Sequence, residues 1–216
     1  MKKEIKNFVE TFNSTVIKES EKHDNVMCFL SGGLDTRCIL SSLINSDIDF
    51  TCFTYKRKDE ITSQSGKENV DVQISKKICL KFNLNQIIEN YYDRGFNNHY
   101  EYPIEKYPDY FFLSGQSMSE VLGLKDFGKY RFHDVLFRQA PLFFYNYRKV
   151  SNHFIPIFEK EVLESLLNVN KKYFRFKFLQ YSIIKHNVPE LLDIRYTCHR
   201  ERLFPLLCNL YYSYLE

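Results

Sequence analysis

Apolar residues recur at spacings of three and four through the first twenty positions, at Ile5, Phe8, Val9, Phe12 and Val16, and this predicts an amphipathic helix. The run "VMCFL" from Val26 is short and wholly apolar, which predicts a strand buried on both faces. Leu34 to Leu43 returns to helical spacing, "DFTCFTY" from Asp49 predicts a second buried strand, and Val70, Ile74, Ile78 and Phe82 mark another helix. "NQIIE" and "FFLSG" predict further strands. Strand and helix alternating at this pace indicate an α/β fold with a parallel sheet covered on both faces.

From about Phe137 the strand pattern stops. Phe158, Val162, Leu163, Leu166 and Leu167 form one helical stripe, and "FKFLQYSIIKHNVPELL" reads as a helix ending at the residue before Pro189. The C-terminal part is therefore expected to be mainly helical. With no repeat, low-complexity tract or Gly/Pro/Ser-rich linker, 1–216 reads as a single domain. It has an α/β core over about 24–130 and a helical part over about 137–216, joined across a soft boundary near Tyr130 to Ala140.

Composition narrows the class only a little. A chain of 216 residues with 44% hydrophobic residues can bury one sizeable core, and a net charge of +3 is too small a bias to indicate nucleic acid without a localised basic face. Cys28, Cys38, Cys52, Cys79, Cys198 and Cys208 lie far apart with no CxxC pair, and His99, His133, His153 and His199 have no metal-ligand spacing. The cysteines read as small core residues in a reducing compartment. No signal-peptide core or membrane-length apolar run is present, so a cytoplasmic protein is expected.

The stretch "LSGGLDTR" carries the chemistry. A chain with 7 glycines places Gly32 and Gly33 side by side where a strand becomes a helix. There the backbone can approach a ligand closely, or take dihedrals a Cβ would forbid. Consecutive N–H groups of Ser31, Gly32 and Gly33 at a strand's carboxyl end, facing the positive end of the next helix, form an anion nest. The pattern is neither GxxxxGK[ST] nor GxGxxG. Asp35 would repel a phosphate unless a cation lay between them, which implies Mg²⁺.

"LSGGLDTR" resembles the SGGxDS pyrophosphate loop of the N-type ATP pyrophosphatases (the PP-loop family), and within it the asparagine synthetase and β-lactam synthetase branch. "FTYKRKDE" from Phe53 is similar to the family's second-strand end, which lies against adenine. "FFLSGQSMSEVLG" resembles its second loop, LSGxGxDExxxG. The stretch from "FIPIFEKEVLESLL" to "FRFKFLQYSIIKHNVPELL" resembles a lysine-bearing helix followed by PE.

This resemblance implies an adenine nucleotide alpha hydrolase-like (PP-loop) fold and ATP as co-substrate. It also implies an amide-forming ligase or amidotransferase that activates a substrate carboxylate as an acyl-adenylate with release of pyrophosphate. It assigns Leu30, Ser31, Gly32, Gly33, Asp35, Thr36, Thr54, Tyr55, Ser114 and Gly115 to the nucleotide, with Asp35 as the Mg²⁺ ligand. Lys177 and Glu120 take catalytic roles.

The partners implied are a small carboxylic acid and ammonia or an amine, with a separate glutaminase, because no glutaminase-like domain is read in the sequence. Ser119 stands where the family has an aspartate, and Gln116, Ser117 and Met118 replace a glycine-rich segment. Two alternatives stay open. One is a tRNA-modifying enzyme of the thiolation type, with RNA held by Lys171, Lys172, Arg175, Lys177 and Lys185 among Tyr173, Phe174, Phe176 and Phe178. The other is a nucleotide-binding relative that has lost turnover.

Overall fold

In a computed structural model of the chain, the residues described are 1–57, 70–91, 101–115, 118, 122, 152–174 and 177–195. Five strands form one parallel sheet: β1 (Val26–Phe29), β2 (Phe50–Arg57), β3 (Asn85–Tyr91), β4 (Phe111–Leu113) and β5 (His153–Phe154), in spatial order β3-β2-β1-β4-β5. The helices are α1 (Lys3–Ser20), α2 (Leu34–Ile44), α3 (Val70–Phe82), α4 (Glu101–Lys106), α5 (Lys160–Leu167) and α6 (Phe178–Asn187). The α/β parallel-sheet architecture expected from the sequence is present.

β1 is the central strand, and all four of its residues are buried. Its alternate residues feed two cores. Val26 and Cys28 join Cys52, Phe111 and Leu113 in a large cluster with α1, α2, α3, α5 and α6, whereas Met27 and Phe29 join Phe53 and Phe112 in a smaller one. The longer described helices thus gather on one face. The other face carries an aromatic cluster in which Phe29 stacks on Phe112 at 5.4 Å, with Tyr55, Tyr107 and Tyr110 packed around it.

The first helix follows its pattern closely, since Ile5, Phe8, Val9, Phe12 and Val16 are all buried. Two features depart from the pattern. β5 lies beyond Phe137, where no strand was expected: two residues flanked by Asn152 carry no period, and only pairing with β4 makes them a strand. Leu167 is 61% exposed, so the expected stripe loses its last member, and Phe158 sits in a 3₁₀ turn over Pro156–Phe158. α6 ends at Asn187, ahead of Pro189, as expected. The expected boundary near Tyr130 to Ala140 and the chain after Arg195 lie outside the described residues. No helix among those described is long and apolar enough to cross a membrane.

α6 lies alongside α2 in the same direction. Cys38 Sγ donates to the Gln180 carbonyl at 3.5 Å near the helix starts, and Asn187 Nδ2 reaches Ser41 Oγ at 3.2 Å near their ends. Reciprocal amide bonds between Asn13 and Asn187, 2.7 and 2.8 Å, tie α6 to α1, and Ser42 Oγ of α2 donates to the same Asn13 Oδ1 at 2.8 Å. The N-termini of α2 and α6 therefore open toward the carboxyl edge of the sheet.

His153, on β5, meets the Phe29 ring edge-on at 6.1 Å, and burial lowers its pKa to about 4. A free imidazole titrates near 6.5, so the unfolded chain binds this proton first as pH falls. Stability is complete above about pH 6.5 and should be lost progressively toward pH 4, by up to about 3 kcal/mol. Urea unfolding at pH 7 and pH 5 should show the loss, and His153→Phe should flatten it. An equal pH dependence in the variant would refute this source.

Candidate functional site

The strand order places a reversal between β1 and β4: the chain runs outward from β1 through β2 to β3, then returns to the other side of β1. Ligands of open α/β sheets bind at the carboxyl ends of the strands flanking such a switch point. The loop after β1 is Leu30 to Gly33, and the loop after β4 begins Ser114-Gly115. The two glycine-bearing stretches singled out in the sequence are the two sides of this crevice.

The first loop is held by its own hydroxyls. Ser31 N–H donates to Thr36 Oγ1 at 3.2 Å, and Gly33 N–H donates to Ser31 Oγ at 3.2 Å. Gly32 N–H donates to Asp71 Oδ1 at 2.8 Å. The three donors expected to face an anion are therefore directed at oxygens of the chain itself. Gly33 is the N-cap of α2 with φ −79°, an ordinary extended conformation. A Cβ there would stand 3.3 Å from Ser31 Oγ, a tight approach that a small shift of the hydroxyl would relieve. As a glycine, Gly33 offers α2 no side-chain cap, and the positive dipole end of the helix lies at the loop after β1.

The second loop meets the first through Gly115. A Cβ at this position would stand 2.6 Å from the carbonyl carbon and oxygen of Asp35 and 2.9 Å from the Thr36 nitrogen. This glycine therefore exists for the contact between two backbones. Ser114 is buried, and its N–H donates to the Phe154 carbonyl at 3.0 Å.

The remaining nucleotide candidates are tied into the scaffold. Leu30 is buried, its N–H donating to Phe53 O at 2.8 Å and its carbonyl accepting from Thr54 Oγ1 at 2.8 Å. Thr54 Oγ1 in turn accepts from Gln86 Nε2 at 2.9 Å. Tyr55, on the opposite sheet face, stacks on Phe29 at 5.9 Å.

The third wall is the start of α6. Lys177 is its N-cap and adopts φ 53°, ψ 29°, a left-handed conformation that costs a non-glycine residue about 1 kcal/mol. Gln180, one turn on and fully buried, donates from Nε2 to Asp35 Oδ1 at 3.3 Å. Burial pushes the Cys38 thiol well up; the Asp35 charge adds to this and the Lys177 charge opposes it.

Gln180 Oε1 is buried without a donor among the described residues. Gln180 meets Asp35 through its Nε2 and not its Oε1, so of the Mg²⁺ site inferred from the sequence the described residues supply the Asp35 carboxylate, one oxygen of which already accepts an amide N–H. Among the described residues no group of three or more His, Cys, Asp or Glu could hold a metal ion.

Three residues of this site escaped the sequence reading. Arg37 stands in the sequence only as the last residue of the loop motif, yet it is fully buried. It donates to the carbonyls of Leu191 (2.9 Å), Ile194 (2.7 Å), Gly32 (3.2 Å) and Arg195 (2.6 Å). Asp71 and Gln180 arrive from 39 and 145 residues away, and no local pattern marks either. Glu120 and Ser119 lie outside the described residues, as do Gln116 and Ser117, while Met118 is buried. Of the proposed RNA-binding aromatics, Tyr173, Phe174 and Phe178 are buried. Cys28, Cys38, Cys52 and Cys79 are buried free thiols.

No protein-family model and no curated protein matches the chain. Among solved structures, it is similar to the U34-tRNA thiolase NcsA from Methanococcus maripaludis with its [4Fe-4S] cluster. The identity is 15% and the TM-score 0.47, over 95% of this chain and 80% of that one.

Two substitutions probe the assembly. Gly115→Ala should cost about 1–3 kcal/mol, because the obstacle is backbone and cannot rotate away. Thermal unfolding should report this as a fall of several degrees, and an unchanged midpoint would refute the close contact. Arg37→Leu should cost about 3 kcal/mol or more by stripping four carbonyls of their donor, and Arg37→Lys should not restore it, lacking the forked geometry. Rescue by lysine would show that charge alone matters.

Proposed function

We propose that this protein is an ATP-using, adenylate-forming enzyme of the PP-loop type. The observation that carries the reading is the meeting, at the switch point, of the Ser31–Thr36 loop and Gly115, with Lys177 and Asp35 on adjoining helix starts. Two helix N-termini and a lysine favour a polyphosphate. A Mg²⁺ ion held at Asp35 would supply neutralisation of phosphate charge.

In this reading a substrate oxygen attacks the α-phosphorus of ATP. The bond from that phosphorus to the α–β bridging oxygen breaks, and pyrophosphate leaves with the electron pair. Lys177 Nζ offsets the charge gathering on the α-phosphate, while Ser31, Gly33 and Thr36 keep the loop in shape around the leaving group. The finer proposal is that the oxygen belongs to a small carboxylic acid. An amine, or ammonia delivered by a separate glutaminase, then attacks the acyl carbon and AMP departs, leaving an amide.

A second reading, adenylation of a carbonyl oxygen on a tRNA base, draws on the cavity between α3 and the last described residues. That cavity has a volume of about 360 Å³ and is lined by Lys77, Lys81 and Arg195 with Asp193. The four described cysteines lie in the core, so none of these four would serve as a sulfur donor for such a reaction.

Product analysis decides among the readings. AMP and pyrophosphate formed only with an acid and ammonia support the ligase, and formed only with tRNA they support the second reading. ATP binding with no AMP under either condition indicates a relative without turnover. Lys177→Met should lower AMP formation by about a hundredfold or more while changing ATP affinity much less, since its interaction strengthens in the transition state. Equal losses in affinity and turnover would make Lys177 a simple binding residue.

A further inference from the structure

The Gly32 N–H is the central donor of the anion nest, and the atom on it is Asp71 Oδ1 at 2.8 Å. Asp71 lies in the first turn of α3, the crossover helix between β2 and β3. Its carboxylate oxygen takes the donor that the pyrophosphate reading gives to a phosphate oxygen, through a charge-assisted bond. An incoming anion therefore meets a like charge on the donor it needs. Asp35, the second residue of α2, adds another carboxylate at the same crevice, and Gln180 holds it by one oxygen.

We propose that Asp71 is a specificity-determining residue of this site: it keeps bare anions off the Gly32 N–H and admits a polyphosphate only in company with a divalent cation. The inference rests on the reading of the loop as a pyrophosphate site. A bare phosphate or pyrophosphate must displace Asp71 against repulsion from both carboxylates. A cation-bound pyrophosphate brings the charge that relieves that repulsion, so the exchange at Gly32 costs little.

Calorimetric titration of the full chain with inorganic pyrophosphate, once with excess chelator and once with Mg²⁺, tests this directly. Wild-type protein should bind at least about tenfold more weakly in chelator, the scale of a charge-assisted hydrogen bond. Asp71→Asn keeps the shape and an oxygen acceptor but not the charge. It should tighten binding in chelator about tenfold and largely erase the difference between the two conditions. The Gly32 amide resonance should move when pyrophosphate is added to either protein.

Unchanged or weaker binding by the variant in chelator would overturn the proposal and leave Asp71 as a structural acceptor. Loss confined to the Mg²⁺ condition would overturn it in favour of a metal ligand. Should the variant not fold, equal wild-type affinity with and without Mg²⁺ overturns the proposal unaided. Tighter binding by Asp71→Asn with no AMP formed by either protein would uphold Asp71's role and remove the proposed reaction. Absence of pyrophosphate binding in every arm would remove both.

Discussion

Arg37 is the constraint on which the rest of the site depends. A guanidinium taken fully out of water is costly unless its donors are met, and here four carbonyls meet it. One belongs to Gly32, at the centre of the loop after β1, and three belong to Leu191, Ile194 and Arg195, after the end of α6. The loop and the C-terminal segment are thus held by one side chain that rises from the first turn of α2. Because Arg37 cannot lose its charge, this tie does not weaken with pH.

That tie fixes how α2 and α6 lie. Cys38 against Gln180 and Ser41 against Asn187 keep the two helices side by side in the same direction, so their positive ends reach the same edge of the sheet. Asp35 and Asp71 answer that potential, and the charges of Asp35 and Lys177 act in opposite senses on the Cys38 thiol. The crevice is a balance of charges within a few residues rather than a simple basic pocket. Under the proposal, its affinity for a polyphosphate would depend on the cation that accompanies the ligand.

The sheet contributes rigidity where the loops need it. β1 is buried on both faces, and Gly115 lets the loop after β4 touch the first turn of α2 with no side chain between them. Thr54 and Gln86 lock the end of β2 to Leu30 and to α3 through a chain of hydrogen bonds at 2.8 and 2.9 Å. Thr54, which the family resemblance assigned to the nucleotide, spends its hydroxyl on the scaffold.

The amino-acid pattern by itself determined α1, β1, α2 and the stop of α6 before Pro189, because period and punctuation are local properties of a few consecutive residues. It also marked Ser31 to Thr36 and Ser114-Gly115, since glycine at a strand end is a local sign of backbone approach. β5 was beyond its reach: His153 and Phe154 become a strand only when β4 supplies their partners. So were Asp71 on Gly32, Gln180 on Asp35 and the three C-terminal carbonyls on Arg37, at separations of 39, 145 and up to 158 residues. Spacing along a chain says which side chains share a helix face or a strand face. Which carboxylate closes a nest, and which carbonyls receive a buried arginine, is decided when distant segments pack and every buried donor must find an acceptor.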